Sequence, residues 1–381
     1  MHIALLFPTL PPALDGIGDY TARLATTLAG SHKAAVWTTD AEAADLPGVD
    51  VVRGVSFKQR TGSQSIAHAA RPHPPDWVVV QYNPFSYGHR GFNLVLAPAL
   101  QHLKRTHPKT RVAVMVHEPF VPVTNWRWAL LTIWQRWQLW HLGRVADQLF
   151  FSIQPWAERF RTWFPNTPIE ALPVGSNIPH TSADRGAIRH HWGVTDNDVV
   201  IGIFGTAHHS RRLPYIAQAA RAAARKEAVH VLYVGPHGDQ VREHIEDLPL
   251  HDAGRCSPAD VSRHMQAMDL YLAPFEEGVS ARRGSFHTGI QHGIATIGTR
   301  GAHTDDFLAR AHGAAFMLPP DERPEAFVTE TLRLAQNRPL RQRLAEEGQQ
   351  FYDAHLDWPL IANRMVEALH RTKAPQHAPA G

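Results

Sequence analysis

Residues 269–293 read DLYLAPFEEGVSARRGSFHTGIQHG, and the order of residue types in this stretch decides the fold. Leu270-Tyr271-Leu272-Ala273 is a short apolar run with the composition of a buried strand. Pro274 ends it, and a polar loop follows that carries Glu276, Glu277, Ser280, Arg282 and Arg283. Gly284-Ser285 opens a short helix-like segment, which Gly293 closes before the next apolar run at 295–298. Parallel α/β sheets present ligand-binding loops from this unit of strand, loop and helix start. Carboxylates accept the protons of sugar hydroxyls, and the Arg283-Gly284-Ser285 turn at a helix N-terminus suits phosphate oxygens. A charged surface loop is the alternative reading.

Working outward, the same alternation extends in both directions. Apolar, β-branched-rich runs occur at 3–7, 34–37, 49–52, 77–81, 112–116 and 149–153, with helix-like segments such as 20–28 and 94–104 between them. A second series occupies 199–204, 229–234, 270–273, 295–298 and 314–318. Between the series, Pro173-Val174-Gly175-Ser176-Asn177-Ile178-Pro179 reads as a linker. The expected architecture is therefore α/β, two Rossmann-like domains in tandem. Residues 1–176 form the first domain, 177–356 the second and 357–372 a final helix, and the Pro/Ala-rich tail 373–381 is expected to be disordered. Two such domains bring their strand-to-helix loops to one interdomain cleft.

Composition narrows the function classes. The chain has 381 residues, enough for two cores, and 19% charged against 44% hydrophobic residues is globular composition. A formal charge of +3 is too small to imply a nucleic-acid partner. One cysteine, Cys256, excludes an intrachain disulfide framework and any multi-thiolate metal site. The first seven residues lack the basic region and length of an export signal, and no run is long and apolar enough for a spanning helix, so a cytoplasmic location is expected.

Two more loops carry candidate chemistry. After the first run, Asp15-Gly16-Ile17-Gly18-Asp19 places two glycines at a helix start, where backbone N–H groups can approach an anion. After run 199–204 comes Gly205-Thr206-Ala207-His208-His209-Ser210-Arg211-Arg212, whose arginine pair can clamp a pyrophosphate. A tight turn and a solvated basic turn are the respective alternatives. The pairs His208-His209 and His190-His191 lack the spacing and neighbouring carboxylates of a metal site, so no metal is expected.

These pieces, in this order, resemble the GT-B glycosyltransferases, in particular the retaining, family-4-like (group 1) nucleotide-sugar transferases. The residues that carry the resemblance are the Gly16-Ile17-Gly18-Asp19-Tyr20 opening, His117 at a strand end, the 173–179 linker, the Phe204-Gly205 to Arg211-Arg212 loop, the run from Ala253-Gly254-Arg255 to Pro274, and Pro274-Phe275-Glu276-Glu277-Gly278. The resemblance implies a GT-B fold with its last helix crossing back to the first domain. It also implies transfer from a nucleoside-diphosphate sugar, most commonly a UDP-sugar, to an acceptor nucleophile. Retention would follow from front-face attack assisted by the departing phosphate, with no cofactor or metal required.

Residue by residue, the resemblance places His117 near the transferred sugar, Arg212 where a phosphate-binding lysine is usual, and Glu277 as the first carboxylate of a Glu-x7-Glu signature. Gly16, Gly18, Gly205, Arg211, Ser280, Arg283, Gly284, Ser285 and Thr288 would line the donor, and Arg255 would lie near the base. Two positions depart from the pattern: Thr206 stands where an arginine is usual, and Thr288 where a ribose-binding glutamate is usual. A catalytically silent binding protein and a sugar-nucleotide epimerase of the same fold are the competing readings.

The acceptor side is marked by tryptophan. Seven of the 11 tryptophans fall between Trp126 and Trp163, interleaved with Arg127, Arg136 and Arg144. The spacing of Trp134, Trp137 and Trp140 fits one helix face. Packing, in the core or between domains, is the first expectation for this segment. A groove for a small-molecule, glycan or lipid-linked acceptor is the second, and peripheral membrane contact the third.

Overall fold

The apolar runs become strands because both of their faces are covered, the arrangement that parallel sheets require. In a computed structural model of the chain, in which residues 1–57, 62–123, 126–207 and 210–372 are described, every named strand pair is parallel. Two compact units result: Met1–Pro173 with Trp358–Gly381, and Val174–Asp357.

In the first unit the order along the chain is β1 (His2–Leu6), α1 (Gly16–Ala29), β2 (Lys33–Trp37), β3 (Val49–Val52), α2 (Gly62–Ala70), β4 (Trp77–Tyr82), α3 (Leu96–Thr106), β5 (Arg111–Val116), α4 (Trp126–Val145), β6 (Gln148–Phe151), α5 (Gln154–Phe160) and β7 (Ile169–Ala171). The seven strands lie in the order β3-β2-β1-β4-β5-β6-β7. Val78, Val79 and Val80 of β4, at the centre, have no exposure. Asp15 caps α1 by accepting from the backbone N–H groups of Ile17 and Gly18.

The second unit runs α6 (Arg185–His191), β8 (Val199–Phe204), α7 (Leu213–Ala224), β9 (Val229–Val234), α8 (Gly238–His244), β10 (Leu250–Asp252), α9 (Pro258–Gln266), β11 (Leu270–Ala273), α10 (Gly284–Gln291), β12 (Ala295–Gly298), α11 (Asp306–Arg310), α12 (Pro324–Gln336) and α13 (Arg338–His355). Its strand order is β10-β9-β8-β11-β12. The period of two is visible in β8. Val199, Ile201 and Ile203 pack towards α7 and α12 with Ile216, Ala220 and Phe327, whereas Val200 joins Met265, Phe286 and Ile290 on the other face.

The last helix, α14 (Trp358–Arg371), belongs to the first unit. Trp358 packs on Tyr20 of α1 at 5.2 Å between ring centroids. Thr372 Oγ1 donates to Gln148 Oε1 at 2.8 Å, and Arg371 pairs with Glu170.

Two features differ from the sequence expectation. Residues 314–318 form no named strand, because only an isolated bridge from Met317 to Ile297 extends the sheet there. Conversely, β7 and β10 are three-residue edge strands, Ile-Glu-Ala and Leu-His-Asp, too short and polar to carry a period.

Sequence order reverses between neighbours β1 and β4 in one sheet and between β8 and β11 in the other. At such a switch point the loops leaving the two strands diverge and open a crevice at their carboxyl ends. The loops after β8 and β11 are the arginine loop 205–212 and the segment 274–283.

Candidate functional site

The second unit brings these two loops into direct contact. Arg211 and Phe275 form an antiparallel bridge, Glu276 N donates to Ser210 O at 2.7 Å, and Arg212 N donates to Pro274 O at 3.1 Å. Gly205 makes the turn at φ +101°, in the left-handed region that suits glycine, with its N–H bonded to Val234 O and its carbonyl accepting from Tyr233 Oη at 2.8 Å.

Two guanidiniums, those of Arg211 and Arg283, meet over Phe275. Arg211 is only 5% exposed; its Nη2 donates to Phe204 O at 2.6 Å, while its Nε and Nη1 have no acceptor among the described residues. Its charge lies 5.0 Å from the centre of the Phe275 ring, and that of Arg283 lies 4.3 Å from the same ring. An anion between these two like charges would relieve their repulsion. Arg212 is half-buried over Tyr215 at 5.2 Å, and its Nε also lacks an acceptor. Arg283 reaches Ser210 Oγ at 3.4 Å.

Around the arginines, Ser280 is 1% exposed with an unbonded hydroxyl. Gly284 starts α10, which has no side-chain cap; its N–H donates to Arg282 O at 3.2 Å, and those of Phe286 and His287 donate to Arg283 O at 2.9 and 3.2 Å. Ser285 bonds the hydroxyl of the buried Tyr271, and Arg211 helps to offset the rise that burial imposes on that phenol. The segment 174–176 backs this helix: Val174 N donates to Ala281 O at 2.8 Å, and Val174 O accepts from His287 Nδ1 at 2.7 Å. Burial lowers the His287 pKa to about 4, so the ring is neutral.

Glu277 sits at φ +63°, and its half-exposed carboxylate is paired with His303 Nδ1 at 2.8 Å. Arg255 is exposed in the loop after β10. Thr288, which stands where a ribose-binding glutamate is usual, turns inward. Its side chain is 1% exposed, and its hydroxyl is bonded to Gly284 O and Ser176 Oγ, both at 2.9 Å. Thr206 is exposed.

In the first unit, Gly16 opens α1, and Gly18 follows where a Cβ would lie 2.7 Å from the Thr9 carbonyl oxygen. His117 follows β5 and is 7% exposed. Its Nε2 lies 2.9 Å from Gln81 Oε1 and its ring meets Tyr20 edge-on at 4.8 Å. Burial lowers its pKa to about 3, which keeps it neutral.

Sequence reasoning missed Asp321. Its carboxyl accepts a backbone bond from Glu277, and burial and Glu322 push its pKa up against the pull of Arg212. Nothing near it in the sequence marks it, because it arrives from the loop before α12. His208-His209 and the tail 373–381 lie outside the described residues. Among the described residues no group of three His, Cys, Asp or Glu side chains could hold a metal ion.

No family model and no curated protein matches the sequence. Solved structures do match over nearly the whole chain. Sucrose-phosphate synthase from Thermosynechococcus elongatus aligns with 97% of this chain and 98% of its own at 14% identity, TM-score 0.73. The chain has the GT-B fold. WaaG, a glycosyltransferase involved in lipopolysaccharide biosynthesis, aligns at 16% identity over 97% of this chain and 100% of its own, TM-score 0.68. Anabaena Alr3699/HepE, solved with UDP and glucose, aligns at 15% identity over 97% and 99%, TM-score 0.68. Within this GT-B fold the arginine cluster belongs to the second Rossmann-like unit, and His117, Gly16 and Gly18 to the first.

Proposed function

We propose that the chain is a glycosyltransferase that moves a sugar from a nucleoside-diphosphate sugar, with UDP as the nucleotide, to an acceptor hydroxyl. The observation that carries this reading is Arg211, a buried guanidinium with two nitrogens lacking acceptors at the switch point of its sheet. A buried charge with unmet donors is unfavourable, and a diphosphate supplies the missing oxygens in a geometry that a guanidinium matches. The structural relative Alr3699/HepE, solved with UDP-glucose as well as with UDP, supports the donor class.

In this reading Arg211, Arg212 and Arg283 hold the diphosphate, joined by the Ser280 and Ser285 hydroxyls and the close backbone approach at Gly205. Arg255 flanks the base. Glu277, held by His303, accepts hydroxyls of the donor sugar. The first unit presents the acceptor: Gly16 and Gly18 at the start of α1 allow close approach, and neutral His117 hydrogen-bonds an acceptor hydroxyl. As the glycosidic bond breaks, negative charge grows on the leaving diphosphate, and the fixed cations stabilise it more strongly than in the ground state. Three guanidiniums supply this charge without a metal ion. The departing phosphate takes the acceptor proton on the face it leaves, which gives retention. We assign the protein to the cytoplasm, in accord with its one cysteine.

A panel of nucleoside-diphosphate sugars incubated with sugar acceptors in EDTA tests this reading. It expects nucleotide release from one UDP-sugar, with an α-configured product by NMR from an α-configured donor. Stabilisation by UDP without turnover of any donor would leave a silent binding protein, and inversion of the anomer would remove the front-face mechanism.

A further inference from the structure

α4 buries polar side chains beside Leu139 and Leu142 and leaves large apolar ones exposed. Thr132, Gln135 and Gln138 point inward at 2, 0 and 3% exposure, whereas Leu130, Ile133, Trp137 and Trp140 point outward at 62, 64, 43 and 38%. Most of the inward polar atoms are bonded, although Gln135 Nε2 has no partner among the described residues. Thr132 Oγ1 lies 2.9 Å from Val121 O, Gln135 Oε1 accepts from Val121 N at 2.9 Å, and Gln138 Oε1 accepts from Asn93 N at 3.0 Å. Gln138 Nε2 donates to Tyr82 Oη at 3.2 Å. Turning the helix to bury its tryptophans would orphan all of these groups, so the bonds fix which face is outward.

The outward face has the chemistry of a lipid–water boundary. Phe92, half exposed, stacks on Trp134 at 4.0 Å and widens the apolar strip. Exposed Arg136 and Arg144 lie along the helix, with the Arg144 guanidinium 4.8 Å from the Trp140 ring centre. The helix contains no Asp or Glu among its 20 residues. Indole and guanidinium together favour the headgroup zone, where the ring body is buried and the charge meets lipid phosphate. A helix of this length spans about 30 Å and can lie flat on such a surface. No described helix is long and apolar enough to cross a membrane.

We propose that α4, with Phe92, is a docking face for an anionic lipid surface. This inference does not depend on the transfer activity. A second copy of the chain suits the face poorly, because a two-fold contact would set Arg136 and Arg144 against their own counterparts with no acid on the helix to balance them. The stripe from Leu130 to Trp140 also falls short of the three or four heptads of a coiled coil.

Co-sedimentation of the full chain with vesicles of phosphatidylcholine, alone or mixed with phosphatidylglycerol, tests the proposal. Binding is expected only to the anionic vesicles, with a blue shift of tryptophan emission and weakening by salt. Trp137→Ser with Trp140→Ser should abolish binding while leaving the thermal midpoint unchanged. Arg136→Gln and Arg144→Gln should each weaken it about fivefold, the equivalent of about 1 kcal/mol per headgroup contact. Failure to bind anionic vesicles would overturn the proposal, as would binding that both tryptophan substitutions leave intact. Self-association in sedimentation velocity that Trp137→Ser removes, without vesicle binding, would reassign the face to a second copy.

Discussion

The loops after β8 and β11 and the helix α4 both break the rule that polar groups face water and apolar groups face inward, but they break it in opposite senses. In the second unit, charge is buried with open donors: Arg211 and its neighbours converge on a point from two loops and one helix start. In the first unit, tryptophan and isoleucine are exposed while glutamines are buried, their carbonyl oxygens bonded to backbone N–H groups. Open donors directed at one point call for a small ligand with matching acceptors. An open apolar strip calls for an extended surface. The difference lies in the chemistry left open, charged donors in one region and apolar surface in the other.

The sharpest way to break this comparison is Arg211→Met. If Arg211 is held in waiting for a diphosphate, the variant should lose about 100- to 1,000-fold in UDP affinity, roughly 3–4 kcal/mol, while the free protein keeps its stability to within about 1 kcal/mol. Titration calorimetry and urea unfolding on the same samples read both quantities. A large loss of stability in the free variant would mean that Arg211 is structural.

Glu277→Gln should have the next largest effect. It should lower kcat/KM for the donor by about 10- to 100-fold and leave UDP affinity unchanged, because its carboxylate is assigned to the sugar. Equal losses for UDP and for the UDP-sugar would move Glu277 to the nucleotide.

Protonation separates ligand sites from buried scaffold. Burial lowers His117 to about 3 and His287 and His292 to about 4, against an ordinary value near 6.5. Because the folded state holds these rings neutral, their contribution to stability is full above pH 6.5 and is lost as pH falls towards the folded values. The expected slope is roughly 1.4 kcal/mol per pH unit for each group. Urea midpoints between pH 7.5 and 5 should fall, and more gently in His287→Gln. An identical slope in that variant would remove His287 from the account.

The smallest effect comes from two glycines in α1. Gly18→Ala places its Cβ 2.7 Å from Thr9 O and should destabilise by about 1–3 kcal/mol, whereas Gly16→Ala meets nothing within 4 Å and should be neutral or stabilising by up to about 1 kcal/mol. Calorimetric melting of the two variants decides whether close backbone approach is needed at one position or both.

Much of the fold could be read from residue order. The strands at 199–204, 270–273 and 295–298 announced themselves because central parallel strands are apolar on both faces. The edge strands β7 and β10 did not, because three residues carry no period and an edge tolerates Glu170 and His251. The arginine loop was legible as chemistry, since Arg211, Arg212 and Arg283 lie next to strand ends. The direction of single side chains was not. Thr288 sits among the expected ligand residues, yet its hydroxyl turns inward to Gly284 and Ser176. The tryptophan helix misled for a related reason. Apolar residues occur all round α4, so its period names no buried face; distant partners at Tyr82, Asn93 and Val121 set the rotation, and packing of Trp137 and Trp140, the first expectation, gives way to exposure.

Binding of UDP, UMP and uridine measured by titration calorimetry in EDTA tests the central claim most directly, because it isolates the phosphates from base and sugar. The account predicts that UDP binds at least about 100-fold more tightly than uridine, with UMP between them, since each charge-assisted phosphate contact adds roughly 1.5–3 kcal/mol. Equal affinities for UDP and uridine, or UDP binding that appears only when a divalent cation is added, would contradict it.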